Sequence, residues 1–144
     1  MKRLAAVVAI ALAGFGAAIA VFNSPQRRGC PLKAAEDSSY TGGFDGPVSV
    51  DKTTHVLKVS RDGRPLTGAQ VCINTEMIGM SGMGYSAEAS ERAPGRYEVG
   101  FRFGMAGDYR ANLVARTQSG EISIPLVVKV ARMSMKAGGN ADGR

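Results

Sequence analysis

Short runs of alternating apolar and polar residues follow one another from Pro47 to Ala131, and no segment of this stretch sustains a helical period. The clearest run is 96–103, where Tyr97, Val99, Phe101 and Phe103 alternate with polar residues or glycine. Successive side chains of a strand point to opposite faces of a sheet, so this pattern indicates strands with one face buried.

The alternation predicts strands over 54–60, 70–77, 96–103, 108–116 and 121–131. Turn signals such as Asp62-Gly63-Arg64-Pro65 separate them. Pro125 inside the last run is typical of an edge strand or a bulge, because proline cannot donate to a ladder. We expect an all-β domain, specifically an immunoglobulin-like antiparallel β-sandwich of about seven strands.

The N-terminal segment is the most apolar part of the chain. Lys2 and Arg3 precede a charge-free run from Leu4 to Phe22. Ala18-Ile19-Ala20 has the small-x-small pattern of a signal-peptidase site, and the run is also close to the roughly 20 residues that span a bilayer. Both interpretations predict export, secreted or anchored at the cell surface or in the periplasm. The predicted organisation is a signal peptide or membrane-anchor helix at 1–22, an irregular leader at 23–46, the β-domain at 47–131 and a flexible tail at 132–144.

Composition argues against several functional classes. The net charge of +6 comes from Lys and Arg that are scattered without a run or interleaved aromatic residues, so a nucleic-acid partner is not expected. The chain has one His and no nucleophile or phosphate-loop motif. We therefore expect neither an enzyme nor a small-molecule substrate.

Cys30 and Cys72 are the two cysteines of the chain. Cys72 has the outward parity of its predicted strand, and Cys30 lies in the leader. In an oxidising compartment the pair predicts a disulfide that fastens the leader to the domain. Two unpaired cysteines, or a thiolate pair that binds metal, are the alternatives.

The stretch EMIGMSGMGY, residues 76–85, places Met77, Met80 and Met83 at every third position with glycines between them. Glycine disfavours a helix, which predicts a loop. Large apolar thioethers on a loop either fold back onto the core as gap-fillers or bind a soft ligand.

Thioether sulfur suits Cu(I) and, unlike thiolate, is not consumed by disulfide formation. Extending the parity of 96–103 brings Met105 to the inner side of a second strand end, and His55 is the single imidazole. The candidate metal ligands are Met77, Met80, Met83, Met105 and His55. The sequence predicts that at least three of the four sulfurs converge at one end of the sandwich.

Three segments carry a family resemblance, RDGRPLTGAQV, the Met-x-x-Met-x-x-Met-Gly loop and PGRYEVGFRFGMAGDYR. Through them the chain resembles the YtkA-like domain and its FixH-like relatives over about residues 47–130. These are extracytoplasmic β-sandwich modules, and Tyr109 stands where they usually carry Trp. The resemblance implies copper handling and an association with cytochrome oxidase assembly.

We therefore expect an exported copper-binding or copper-relay accessory protein that supports oxidase assembly or copper homeostasis. Its partner would be a membrane-bound oxidase assembly factor or a copper-transport protein. The alternative is an interaction module without metal, whose Met-rich loop contacts a membrane protein.

Overall fold

The computed structural model describes residues 30–31 and 34–132. Within those ranges all regular secondary structure is β-strand and there is no helix. The strands are β1 (Ala35–Glu36), β2 (Tyr40–Phe44), β3 (Val48–Ser49), β4 (Thr54–Arg61), β5 (Arg64–Pro65), β6 (Gln70–Met77), β7 (Gly84–Ala93), β8 (Arg96–Gly100), β9 (Gly107–Thr117) and β10 (Gly120–Ala131).

The predicted strands are found with small differences at their ends. β6 has the predicted bounds, and β4, β9 and β10 extend the predictions by one or two residues. β8 ends at Gly100 rather than at Phe103, although Phe103 keeps its inward orientation and is 1% exposed. β7 was not predicted as a regular strand, because its inward positions hold Tyr85 and small alanines and therefore lack a strong apolar alternation.

All ten strands belong to one hydrogen-bonded sheet in the order β1-β10-β9-β6-β7-β8-β4-β2, with β3 paired to β10 and β5 to β4. Only residues 37–39 connect β1 to β2, which lie at opposite ends of this order. So short a connection requires the two edges to approach each other, and the sheet curls into a half-barrel. The fold is all-β as predicted, whereas the pairing does not divide it into the two sheets expected of a sandwich.

The concave face of the sheet holds the hydrophobic core. Alternate residues of β4, β6, β8, β9 and β10 point into it, and fully burying each large apolar side chain contributes about 1.5–3 kcal/mol. Its buried members are Tyr40, Val48, Leu57, Val59, Val71, Ile73, Tyr97, Val99, Phe103, Tyr109, Ala111, Leu113, Ala115, Ile124, Val128 and Val130.

Strands also form where the sequence predicted an irregular leader. β2 pairs with β4 from Tyr40↔Arg61 to Phe44↔Leu57, and Tyr40 is buried. A Cβ on Gly42 would lie 3.4 Å from Ile124 Cδ1, so β2 packs against a core side chain of β10. The glycine pair conceals the strand pattern in the sequence, and tertiary pairing with β4 supplies what local propensity lacks.

The leader is fastened to the convex face of the sheet. Cys30 and Cys72 form a disulfide with Cα atoms 5.5 Å apart, which confirms the predicted pairing. Asn74 Nδ2, two residues further along β6, donates to the carbonyls of Pro31 at 2.8 Å and Cys30 at 3.3 Å. Cys72 is therefore buried although its side chain points away from the core.

Pro125 lies on a strand edge, as its position in the sequence predicted. It pairs with Asn112 of β9, while the other side of β10 pairs, among the described residues, at 122–123 with β1 and at 130–131 with β3. The predicted signal or anchor segment at 1–22 and the tail beyond Arg132 lie outside the described residues. Among those described, no helix is long and apolar enough to cross a membrane.

We expect the unfolded, unreduced protein to show no free thiol on labelling. Replacing both cysteines by Ala should lower the free energy of unfolding by about 3 to 4 kcal/mol, because the disulfide restricts the unfolded chain. Urea denaturation of the two proteins measures this loss, with the reduced wild-type protein as control. Two labelled thiols before reduction would contradict the prediction.

Candidate functional site

The Met-rich loop and the 101–106 bend lie side by side at one end of the sheet. Met77, the last residue of β6, pairs with Tyr109 near the start of β9. One residue further, the Ile78 N–H donates to the Asp108 carbonyl at 2.9 Å. This register brings Met77, Met80, Met83 and Met105 to the same end.

Backbone hydrogen bonds hold the Met-rich loop, residues 78–83, closed. The Met77 N–H donates to Met83 O at 3.0 Å, and the Met80 N–H donates to Met77 O at 3.2 Å. Gly79 and Gly82 have φ of 85° and 84°, which residues with a Cβ rarely adopt. The shape of the loop therefore depends on its glycines and main chain, and none of these bonds uses a methionine side chain.

The four methionines divide into one packed side chain and three exposed ones. Met77 is half-buried, and its Cε lies 2.8 Å from the position that a Cβ on Gly107 would take. Met80 is 44% exposed, Met83 40% and Met105 41%. Three methionine side chains are thus accessible from solvent, while Met77 packs at the base of the loop.

Oxygen, nitrogen and thiolate ligands are not grouped in the part of the chain that the structure describes. Within 30–31 and 34–132 there is no group of three or more His, Cys, Asp or Glu that could hold a metal ion. Both cysteines are joined in the disulfide, which excludes the thiolate-pair alternative for this oxidation state.

His55 lies at the same end of the sheet, near the start of β4, where Thr54 pairs with Gly100. It is 5% exposed, which agrees with its predicted inward parity. Its ring packs against Phe101, Phe44 and Phe103 with centroids 5.0, 5.6 and 5.6 Å away. The imidazole is therefore enclosed by three phenyl rings.

The hydrogen bonding of His55 leaves one ring nitrogen without a partner. Nε2 is buried and makes no hydrogen bond to any residue that the structure describes. A hydrogen bond with the Phe101 backbone favours the protonated ring, so we assign it to an Nδ1–H donor, with the Nε2 lone pair unprotonated. Burial is the largest influence and lowers the pKa of His55 below 6.5, and the charge of Lys52 acts in the same direction.

A layer of aromatic rings connects His55 to the bend that carries Met105. Tyr85 stacks on Phe101 at 6.0 Å, and Phe103 contacts Tyr109 at 4.7 Å. The Tyr109 hydroxyl donates to the Met105 carbonyl at 3.0 Å. The sequence had placed Phe101, Phe103 and Tyr109 in the core by parity. It did not show that Phe101 and Phe103 pack on His55 of β4, because that contact depends on the pairing of distant segments.

We expect stability to fall as the pH is lowered from about 7.5 to 5.5, because below about 6.5 the unfolded chain takes up a proton that buried His55 resists. Above this range both states are neutral and the histidine contributes nothing, and the loss levels off once the pH passes below the folded pKa. Urea denaturation across the range measures the effect.

His55→Phe should flatten this pH dependence while keeping the aromatic packing. Asp37, Asp45 and Asp51 do not contribute to the change, since their pKa values lie below 3.8, held there mainly by hydrogen bonds. An equal pH dependence in the variant would show that His55 is not its source.

A protein-family model described as YtkA-like matches residues 43–114. The matched region includes Cys72, the Met-rich loop, the 101–106 bend and His55, and it ends within β9. No curated protein matches the chain. Because the match covers half of the sequence, this chain belongs to the YtkA-like family.

Proposed function

We propose that this protein is an exported copper-binding or copper-relay accessory protein whose ligands are Met77, Met80, Met83 and Met105, with His55 as an additional ligand. The observation that carries the proposal is the placement of three exposed methionines on two adjoining loops at one end of the sheet. Exposed side chains at 40–44% are not needed as core filler, which weakens the interpretation of the loop as a simple lid.

The available donors fit Cu(I). Thioether sulfur is a soft and uncharged ligand, and the residues that would favour zinc or calcium are not grouped in the described part of the chain. A metal-binding histidine usually donates its other ring N–H to a carbonyl or carboxylate. The hydrogen bond of His55 with Phe101 and its unpartnered Nε2 match that arrangement.

Exposure of the ligands favours transfer over storage. A partner can approach Met80, Met83 and Met105 without unfolding the domain, and ligands can then exchange one at a time. An extracytoplasmic location agrees with the Cys30–Cys72 disulfide, which persists in an oxidising compartment. We propose a membrane-bound oxidase assembly factor or a copper-transport protein as the recipient.

Replacing Met80 and Met83 together by Leu should lower Cu(I) affinity by at least about tenfold, a loss that even outer-shell changes commonly produce. Leu and Met have similar volumes, so we expect a stability change below about 1.5 kcal/mol. Titration with Cu(I) against a competing chelator measures the affinity, and urea denaturation measures the stability.

A matched control replaces Met133 and Met135 by Leu, which removes the same number of thioethers and leaves the loop intact. This control should bind Cu(I) as the parent protein does. If the loop variant also keeps the parental affinity, the Met-rich loop is not a copper site.

His55→Phe tests the imidazole separately, because it removes the nitrogen ligand and keeps an aromatic ring among Phe44, Phe101 and Phe103. We expect the variant to bind Cu(I) more weakly than the parent protein, because one ligand is lost. The sulfur atoms of the loop should still bind the copper. X-ray absorption of the copper-loaded proteins distinguishes the two contributions. A nitrogen scatterer that persists in the variant would exclude His55 as a ligand.

The second candidate function is a non-metal interaction module whose Met-rich loop contacts a membrane protein partner. Ile78 supports it, because this residue is 45% exposed, lies within the loop and offers no metal ligand. Together with Met80, Met83 and Met105 it forms an exposed apolar end. Unchanged Cu(I) affinity in the double-Leu variant, combined with retained folding, would favour this function.

A further inference from the structure

Met80, Met83 and Met105 differ from Met77 in how a small oxidant can reach them. Their side chains are 40–44% exposed, whereas the Met77 thioether packs against Gly107 at the base of the loop. Oxidation of a thioether requires contact between its sulfur and the oxidant, so exposure controls the order in which methionines react. The three exposed residues should react first.

The loop is built so that a change in these side chains leaves its backbone in place. The bonds that close it join main-chain atoms, Met77 N to Met83 O and Met80 N to Met77 O. The bend is held in the same way, because Tyr109 donates to the carbonyl of Met105 and not to its sulfur. An added sulfoxide oxygen on an exposed side chain would point to water and break none of these bonds.

Met77 is the internal contrast. Its methyl group occupies the space beside Gly107, and its backbone belongs to β6. A sulfoxide there would place a polar oxygen against packed atoms, at the cost of burying an unpaired polar group. The packing of Met77 therefore limits its contact with an oxidant.

We propose that Met80, Met83 and Met105 form a reversible oxidation site in which the loop surface changes from apolar to polar while the domain stays folded. In the forward step hydrogen peroxide transfers one oxygen atom to the sulfur, which loses two electrons, and water is released. In the reverse step a methionine sulfoxide reductase takes the oxygen as water while two thiols are oxidised to a disulfide.

Oxidation would also change what the loop binds. A sulfoxide no longer offers the soft sulfur that suits Cu(I), and it adds a polar oxygen to an apolar surface. The loss of copper binding rests on the proposed function, whereas the order and reversibility of oxidation do not. The two are therefore measured separately.

The test uses the full chain, made metal-free with a chelator. This protein is treated with limiting hydrogen peroxide, and the oxidation of each methionine is followed by peptide mass spectrometry. We expect Met80, Met83 and Met105 to gain one oxygen several-fold faster than Met77, with an unchanged melting temperature. Sulfoxide reductases of both stereospecificities, supplied with a dithiol, should then restore the original mass. Thiol labelling checks that the Cys30–Cys72 disulfide stays closed.

Two variants with glutamine, a polar side chain of similar length, test the structural half of the proposal. The first variant combines Met80→Gln, Met83→Gln and Met105→Gln and should keep the parental melting temperature. The second variant carries Met77→Gln alone and should have a lower melting temperature. Oxidation of Met77 as fast as the loop residues, unfolding of the triple variant, or failure of the reductases to remove the oxygen would each overturn the proposal. Cu(I) titration of the oxidised protein then tests the consequence for copper alone.

Discussion

The pairing of β6 with β9 is the constraint on which the rest of the structure depends. Both faces of these strands are covered, since Val71, Cys72 and Ile73 are each buried although they alternate between the core and the convex face. A slip of one residue would turn every side chain to the opposite face. Cys72 would then point into the core, away from Cys30, and Met77 would lose its contact beside Gly107.

That one register determines the position of both functional features. On the convex face it presents Cys72 and Asn74 to the leader, which is bonded there by the disulfide and by the Asn74 amide. The same strand ends where the Met-rich loop begins, and the register places this loop beside the 101–106 bend. A rigid strand pair thus carries an exposed end whose side chains can vary in chemistry without disturbing the core.

His55 shows a conflict between stability and chemistry. A buried polar atom without a partner typically costs about 1–3 kcal/mol, and an apolar residue at this position would avoid that cost. Nε2 is nevertheless buried without a hydrogen-bond partner among the described residues, and burial disfavours protonation of the ring by lowering its pKa. A neutral imidazole with a free lone pair is the form that binds a metal ion, which is why we propose His55 as an additional ligand.

The sequence by itself determined the strand alternation, the inward parity of His55, Tyr97 and Tyr109, the outward parity of Cys72 and the glycine-rich loop, because these depend on neighbours a few residues apart. The tertiary structure decided what depends on distant pairing. The glycine-containing β2 forms because it pairs with β4. The short connection at 37–39 brings the two edges of one continuous sheet together. Phenyl rings from β2 and from the 101–106 bend enclose His55. Periodicity records which face a side chain occupies, but not which strand lies opposite it, and that pairing placed the methionines of the loop and the bend at one end.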